Sequence, residues 1–233
     1  MKEMARKIIF FDTGPIITLV MSRLAYILPK LKEKMKGEFY ITPSVERELV
    51  ERPLQNKRFE FEALEVQKFI REGILKVYKD IPQKKVNELI SLANSTFTIN
   101  NKTMDVIQEG EMESVAAALE TKAEAVIIDE RTLRLFIESC KDMQALLEQR
   151  FQHKVDTDLK KMKQFSSYFK SITILRSVEL VSVAYKIGLL NSYIPSVRNG
   201  KETLLDAVLW ATKYNGCAVT EHEIEEIKQT LLR

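Results

Sequence analysis

The chain has 233 residues, of which 45% are hydrophobic and 30% are charged, so it is long enough to form one sizeable core, with or without an appended segment. Lys and Arg number 36 and Asp and Glu number 33, and the resulting net charge of +3 neither requires nor excludes a nucleic-acid partner. The sequence excludes a transmembrane helix, because no stretch approaches the roughly 20 apolar residues that one needs. The four apolar residues before Asp12 are too few for the core of a signal peptide, so we expect a cytoplasmic protein without membrane association.

Counting residue types removes several classes of catalytic chemistry. The two cysteines, Cys140 and Cys217, form no CxxC motif, and we expect both to be reduced and buried. The two histidines, His153 and His222, adjoin no Ser or Cys motif, which argues against a His-dependent triad and against a His/Cys zinc site. All seven glycines are isolated, so there is neither a GxGxxG motif nor a Walker loop. The remaining candidate is a site whose chemistry depends on the carboxylates of Asp and Glu.

The first part of the chain alternates apolar segments with helical patterns. The segment KIIFF predicts a strand, and it is followed by the turn TGP and a helix over residues 16–35 that bends or breaks near Pro29. EFYIT predicts a second strand, and Thr42 with Pro43 begins a helix through VERELVE. Further along, FEFEALEVQKFIREG, PQKKVNELISLA and EMESVAAALETKA predict helices, and ILKVYKD and EAVIID predict strands. This alternation predicts an α/β fold with a parallel sheet covered by helices on both faces.

The pattern changes after Asp129. Residues 131–170 are mostly helical in pattern, SITILR predicts the last strand, and three helices follow, the final one beginning with a capping box of Thr220 and Glu223. We interpret residues 1–233 as a single domain in which residues 139–171 form a helical insertion that projects before the last strand.

The insertion has a local surplus of positive charge. Between Cys140 and Arg176 there are eight Lys or Arg residues and four Asp or Glu residues. Lys160, Lys161 and Lys163 lie within this stretch. These lysines form either a solvated helix face or a surface that contacts the phosphates of a substrate.

Acidic residues stand at the ends of the predicted strands. Asp12 follows KIIFF, and Asp129 follows AVII, with Glu130 beside it as the alternative. Glu111 follows Gly110 at the start of a helix. Ligands of α/β proteins bind beyond the carboxyl ends of parallel strands, so these carboxylates are expected to meet. Two carboxylates ~4 Å apart repel each other by ~4 kcal/mol at an effective dielectric near 20, and a cluster therefore requires a cation such as Mg²⁺ or Mn²⁺.

Each acid also has a purely structural interpretation. Asp12 before Thr-Gly-Pro suits a turn or a helix cap. Glu111 and Glu113 lie on opposite edges of one apolar stripe in the first helical turn, where the helix dipole favours both, so periodicity does not choose between them. The same choice remains between Glu46 and Glu48 on the earlier helix. The order of all the acids along the chain, and no single one, favours a metal-dependent nuclease.

Four segments together resemble a known family. They are IIFFDTGPI, TPSVERELV, GEMESVAAALETKAEAVIIDERTLR and LRSVELVSVAYKIGLL. In order and spacing they resemble PIN-domain ribonucleases, in a mostly prokaryotic subgroup allied to the toxins of toxin–antitoxin pairs. The resemblance covers nearly all of the chain except the insertion. It implies a three-layer α/β/α fold with a central parallel sheet of about five strands.

The resemblance also implies roles for individual residues. The positions that match the catalytic acids of the family are Asp12, Glu48, Glu111 and Asp129. The implied metal ligands are Asp12, Glu111, Asp129 and Glu130. Thr13 matches a hydroxyl position that supports the site, and Arg131 and Arg134 match basic positions expected to contact the substrate.

The implied activity is endoribonuclease cleavage of RNA assisted by Mg²⁺ or Mn²⁺. The bound metal lowers the pKa of a water molecule and neutralises charge on the phosphate, so no histidine base is needed. The resemblance further implies a homodimer and an antitoxin-like protein partner. The alternative is a non-catalytic PIN-like scaffold that binds RNA or protein.

Overall fold

A computed structural model describes residues 7–107 and 109–233. The strands are β1 (Lys7–Phe11), β2 (Gly37–Ile41), β3 (Leu75–Val77), β4 (Phe97–Ile99), β5 (Lys102–Thr103), β6 (Ala125–Ile127), β7 (Asp156–Thr157) and β8 (Thr173–Leu175). The helices are α1 (Thr13–Met21), α2 (Ile27–Met35), α3 (Pro43–Glu46), α4 (Glu60–Arg71), α5 (Gln83–Asn94), α6 (Glu109–Glu120), α7 (Arg131–Glu138), α8 (Cys140–Phe151), α9 (Leu159–Tyr168), α10 (Ser177–Lys186), α11 (Gly200–Tyr214) and α12 (Glu221–Leu231). None of the helices in these ranges is long and apolar enough to cross a membrane.

Five parallel strands form the central sheet in the order β3-β2-β1-β6-β8. Successive side chains of β1 point to opposite faces, so Ile9 and Phe11 belong to one buried cluster and Phe10 to the other. Helices α1, α2 and α4 contribute to the first cluster, and α5 and α6 contribute to the second. The predicted three-layer α/β/α fold with β1 at its centre is confirmed.

The predicted helix over residues 16–35 is wrong in one respect. It breaks between α1 and α2, where Arg23 has a positive φ of 58°, and not at Pro29. Pro29 lies in the first turn of α2, where a missing N–H removes no intrahelical hydrogen bond.

The inserted segment packs into the core and does not project from it. Its strand β7 pairs antiparallel with β4, in a small sheet of order β5-β4-β7 that the sequence did not predict. Phe165 of α9 is fully buried and stacks on Phe136 of α7, with ring centroids 4.3 Å apart. The segment is mostly helical as predicted, but its apolar faces complete the second buried cluster.

The last helices form a smaller cluster of their own. Its buried residues are Val178, Leu205, Leu209, Cys217, Val219 and Ile224. The cluster joins α10, α11, α12 and the connector between the last two helices. Cys217 is a free, buried thiol, as predicted, and the side chain of Cys140 lies outside the described part of the structure.

Candidate active site

Asp12 and Asp129 lie beyond the carboxyl ends of two neighbouring central strands. Asp12 directly follows β1, and Asp129 comes two residues after Ile127, the last residue of β6. The amide of Asp12 donates a hydrogen bond of 3.0 Å to the carbonyl of Ile127, which joins the two strand ends. The carboxyl ends of parallel strands form the usual ligand-binding edge of an α/β sheet.

The carboxyl group of Asp12 is almost enclosed. Its residue is 8% exposed and stands at the position before α1. Burial, together with the charges of Glu48 and Asp129, raises the pKa of Asp12 from 3.8 to about 6, although hydrogen bonds from the amides of Thr13 and Gly14 oppose the shift. The carboxylates of Glu48 and Asp129 therefore both lie near enough to repel that of Asp12.

Glu48 reaches this edge from a distorted helical segment. A π-helical turn, Arg47–Glu51, continues α3 and carries Glu48. The hydroxyl of Thr13 donates a hydrogen bond of 2.7 Å to Glu48 Oε2, and Nη1 of Arg52 lies 3.8 Å from Glu48 Oε1. A Cβ atom at Gly110 would lie 3.7 Å from the same Oε1, so the first turn of α6 approaches Glu48 closely.

Glu111 and Glu113, which the sequence pattern left as alternatives, have different environments in the first turn of α6. Glu113 is 8% exposed and accepts hydrogen bonds from the hydroxyl and the amide of Ser44, the second of 3.3 Å. Glu111 is only partly buried and follows Gly110, the residue that faces Glu48. Glu113 thus joins α6 to α3, whereas Glu111 stands at the end of α6 that approaches the acids.

Asp129 is held by hydroxyl and amide donors from distant parts of the chain. It is 2% exposed. Its Oδ2 accepts hydrogen bonds from the hydroxyls of Thr18, at 2.6 Å, and Ser177, at 2.7 Å. Its Oδ1 accepts one from the amide of Ser177, at 2.7 Å. Thr18 and Ser177 were missed by sequence reasoning, because these contacts join residues separated by 111 and 48 positions.

Glu130, the alternative to Asp129, has a different environment. Its carboxylate accepts a hydrogen bond of 2.9 Å from the amide of Leu133 and another from the hydroxyl of Thr132. Glu130 is therefore the N-cap of α7, in the manner usual for a carboxylate before a helix.

A model of the PIN domain matches residues 8–140, which is more than half of the chain. The chain belongs to the PIN-domain family. The comparisons with curated proteins and with solved structures gave no match. The resemblance to PIN domains is confirmed over residues 8–140, and membership of the PIN-domain family implies, in general, a nuclease that depends on divalent metal.

The PIN-domain acids fit such a metal in donor type. Among residues 7–107 and 109–233, no three His, Cys, Asp or Glu side chains are arranged to hold one ion together. Glu48 is engaged by Thr13, and Asp129 by hydroxyl donors. The carboxylate oxygens are nevertheless the ligands that Mg²⁺ and Mn²⁺ prefer, and a cation beside Asp12 would offset both the burial and the repulsion that raise the pKa of this residue.

The arginines predicted to contact substrate differ in exposure. Arg131 is exposed, whereas Arg134 is paired with Glu223, at 3.2 Å, and its side chain is 16% exposed. Arg176 also binds Glu223, at 2.8 Å. Although burial opposes it, hydrogen bonds from Thr220 and the charge of Arg176 lower the pKa of Glu223 to about 2. Arg134 thus belongs to an ion-pair network that joins α7, α10 and α12.

The lysines of the inserted segment also divide into two kinds. Lys160 and Lys163 are exposed. The ammonium of Lys161 donates a hydrogen bond of 3.0 Å to the carbonyl of Ser95 and so attaches α9 to the end of α5.

Proposed function

We propose that this PIN-domain protein is an endoribonuclease that depends on Mg²⁺ or Mn²⁺, with Asp12, Glu48, Glu111 and Asp129 as its acids. The observation that supports the proposal best is that the charges of Glu48 and Asp129 both act on the buried carboxyl group of Asp12, beyond the carboxyl ends of β1 and β6. A structural cap accounts for Glu130, and a hydrogen bond from Ser44 accounts for Glu113, but neither accounts for the two carboxylates that act on Asp12.

The acids and the neighbouring threonines would have different roles at such a site. Asp12 and Asp129 would hold the metal, and Glu48 would add a further negative charge beside it; the bound metal would lower the pKa of a water molecule and neutralise charge on the phosphate. Thr13 orients Glu48 through its hydroxyl, and Thr18 orients Asp129 in the same way. Donors of this kind fix the direction of a ligand and raise its contribution to metal affinity.

We further propose that the substrate is RNA, contacted through exposed cations. Arg131 follows directly on the acids Asp129 and Glu130, and it is exposed. Lys160 and Lys163 are exposed on α9. Cations of this kind bind phosphates without reading the base sequence. Arg134 and Lys161 are less suited to that role, because both are engaged within the fold.

A protein partner is proposed as well, either a second copy of the chain or an antitoxin-like protein. The surface beside Glu48 is apolar, with Ile17 and Met21 of α1 exposed by 44% and 43%. A cavity of about 250 Å³ lies between α1, the π-helical turn and α4, and Glu48 forms part of its wall. Apolar surface of this kind commonly marks a protein interface.

The activity is tested with purified protein and single-stranded RNA in Mn²⁺. We expect cleavage by the wild type, none by Asp12→Asn, and full cleavage by the control Asp80→Asn, which changes an exposed aspartate. EDTA should stop the reaction. Equal cleavage by Asp12→Asn and the wild type would exclude the assignment, and binding of RNA without cleavage by the wild type would favour the scaffold.

A further inference from the structure

The connector between α11 and α12, residues 215–219, lies against the support of Asp129. The amide of Ala218 donates a hydrogen bond of 3.1 Å to the carbonyl of Asp129. The carbonyl of Asn215 lies 3.4 Å from the hydroxyl oxygen of Thr18, which holds the Asp129 carboxylate. The connector is far outside residues 8–140, where the family model matches, so these contacts belong to the C-terminal part of this chain.

Hydrogen bonds and ion pairs fix the connector at both ends. On the α11 side, the amide of Cys217 donates a hydrogen bond of 3.2 Å to the carbonyl of Thr212. On the α12 side, Arg176 donates to the carbonyl of Ala218, at 3.1 Å, and to Glu223 of α12, at 2.8 Å. A segment fixed in this way can hold a neighbouring group in one position.

Gly216 of the connector lies beside the hydroxyl group of Thr18. Its φ of +131° is a conformation that residues with side chains rarely adopt. A Cβ atom at this position would lie 3.1 Å from the hydroxyl oxygen of Thr18, tighter than ordinary contact. That hydroxyl is 2.6 Å from Asp129 Oδ2. A side chain at position 216 would therefore press on the group that orients Asp129.

We propose that the connector of residues 215–219 positions Asp129 for metal binding, with Gly216 and Thr18 as the positioning residues. Gly216 leaves room for the Thr18 hydroxyl, and Thr18 fixes the direction of the Asp129 carboxylate. Groups that orient a metal ligand influence affinity for the ion nearly as strongly as the ligand does. The proposal rests on the proposed function for its consequence in metal binding, but the positioning itself can be measured without metal.

Two variants test the proposal, each with a matched control. Gly216→Ala adds a side chain against Thr18, and Gly73→Ala places the same side chain at another positive φ, of 70°, with no atom within 4 Å of it. Thr18→Val removes the hydroxyl that holds Asp129. Thr212→Val removes a buried hydroxyl that donates a hydrogen bond of 2.7 Å to the carbonyl of Val208, within α11. Thr18→Ser keeps the hydroxyl and should behave as the wild type.

The measurement that needs no metal is the rate of hydrogen exchange at the Ser177 amide, which NMR monitors in the metal-free protein. Ser177 is the first residue of α10, so its amide has no acceptor within the helix and is protected by Asp129 Oδ1, at 2.7 Å. We expect this exchange to be about tenfold faster in Gly216→Ala and Thr18→Val, as for loss of one hydrogen bond to a charged group. It should be unchanged in Gly73→Ala, Thr212→Val and Thr18→Ser. The affinity for Mn²⁺ should fall by about tenfold in the same two variants.

The outcomes separate the positioning from the function. Wild-type exchange at Ser177 in Thr18→Val would overturn the proposal. Equal acceleration in Gly73→Ala and Thr212→Val would also overturn it, because it would indicate a general loss of stability. Thr18→Val decides the question even if Gly216→Ala does not fold. If the wild type binds no Mn²⁺, the proposed function fails, but the exchange measurement still shows whether the connector holds Asp129.

Discussion

The hydroxyl of Thr13 lies 2.7 Å from Oε2 of Glu48 and joins the first residue of α1 to the π-helical turn of Arg47–Glu51. π-helical turns are rare in proteins overall, but those that occur are often at functional sites, because the extra residue in the turn changes the direction of a side chain. Here the π-helical turn carries Glu48, whose charge helps to raise the pKa of Asp12.

Glu48 is therefore expected to matter more than Glu46, its neighbour on the same helix. In Glu48→Gln the amide oxygen can still accept the Thr13 hydrogen bond, but a ligand charge is removed, so affinity for Mn²⁺ should fall by about tenfold or more. Glu46→Gln is the control and should bind as the wild type. Calorimetric titration with Mn²⁺ measures both, and a larger effect in Glu46→Gln would transfer the metal-binding role to Glu46.

The raised pKa of Asp12 predicts how the stability of the metal-free protein depends on pH. Its pKa is 3.8 in the unfolded chain and about 6 in the folded protein, so the folded state binds the proton more tightly. The resulting stability is fully present below pH 3.8 and is lost as the pH rises through 6. Above this range the ionised carboxylate costs up to roughly 3 kcal/mol, since each pKa unit corresponds to about 1.4 kcal/mol.

Asp12→Asn removes that cost. In EDTA the variant should unfold at higher urea than the wild type at pH 8, and the difference in the free energy of unfolding should vanish near pH 4. Urea titrations across this range measure the difference. A variant that is less stable than the wild type at pH 8 would contradict the burial of an uncompensated charge.

Substitutions of Asp129 and Glu130 are expected to change different properties of the protein, metal binding for Asp129 and stability for Glu130. Glu130→Gln weakens the cap of α7 and should lower the free energy of unfolding by about 1 kcal/mol, with cleavage retained. Asp129→Asn should abolish Mn²⁺ binding. Parallel measurements of unfolding and RNA cleavage distinguish the two residues, and loss of cleavage in Glu130→Gln at normal stability would transfer the metal-binding role to Glu130.

The lysines of α9 are expected to separate into two that bind substrate and one that supports the fold. Replacing the exposed Lys160 and Lys163 with Ala should flatten the log–log dependence of RNA affinity on salt by about 0.7 for each phosphate that is no longer neutralised. Lys161→Ala should leave that slope unchanged and lower stability, because its ammonium bonds to the carbonyl of Ser95. Filter binding at several salt concentrations measures the slope, and an unchanged slope in the double variant would remove α9 from the RNA surface.

Local patterns were sufficient to predict the sheet and the acids at its edge. The apolar run KIIFF predicted the central strand, because strands buried on both faces lack polar alternation. The capping box of Thr220 and Glu223 predicted the start of α12, and it is present. These features depend on residues that are close together in the chain.

Features that depend on distant contacts were not predictable from the chain alone. The positive φ of Arg23, a residue type with no preference for it, sets the break between α1 and α2. Thr18 and Ser177 form hydrogen bonds with Asp129 although they are distant from it in the sequence, and local sequence patterns do not predict such contacts. The same holds for Glu223, which engages Arg134 and removes it from the candidate substrate surface.

The most direct test of the metal site is the anomalous diffraction of a crystal soaked in Mn²⁺. We expect a manganese peak beyond the carboxyl ends of β1 and β6, within about 2.5 Å of a carboxylate oxygen of Asp12, with Asp129 or Glu48 as a further ligand. The peak should be absent from crystals of Asp12→Asn grown and soaked in the same way. A wild-type crystal without manganese at Asp12, or with manganese bound only by other residues, would contradict the account.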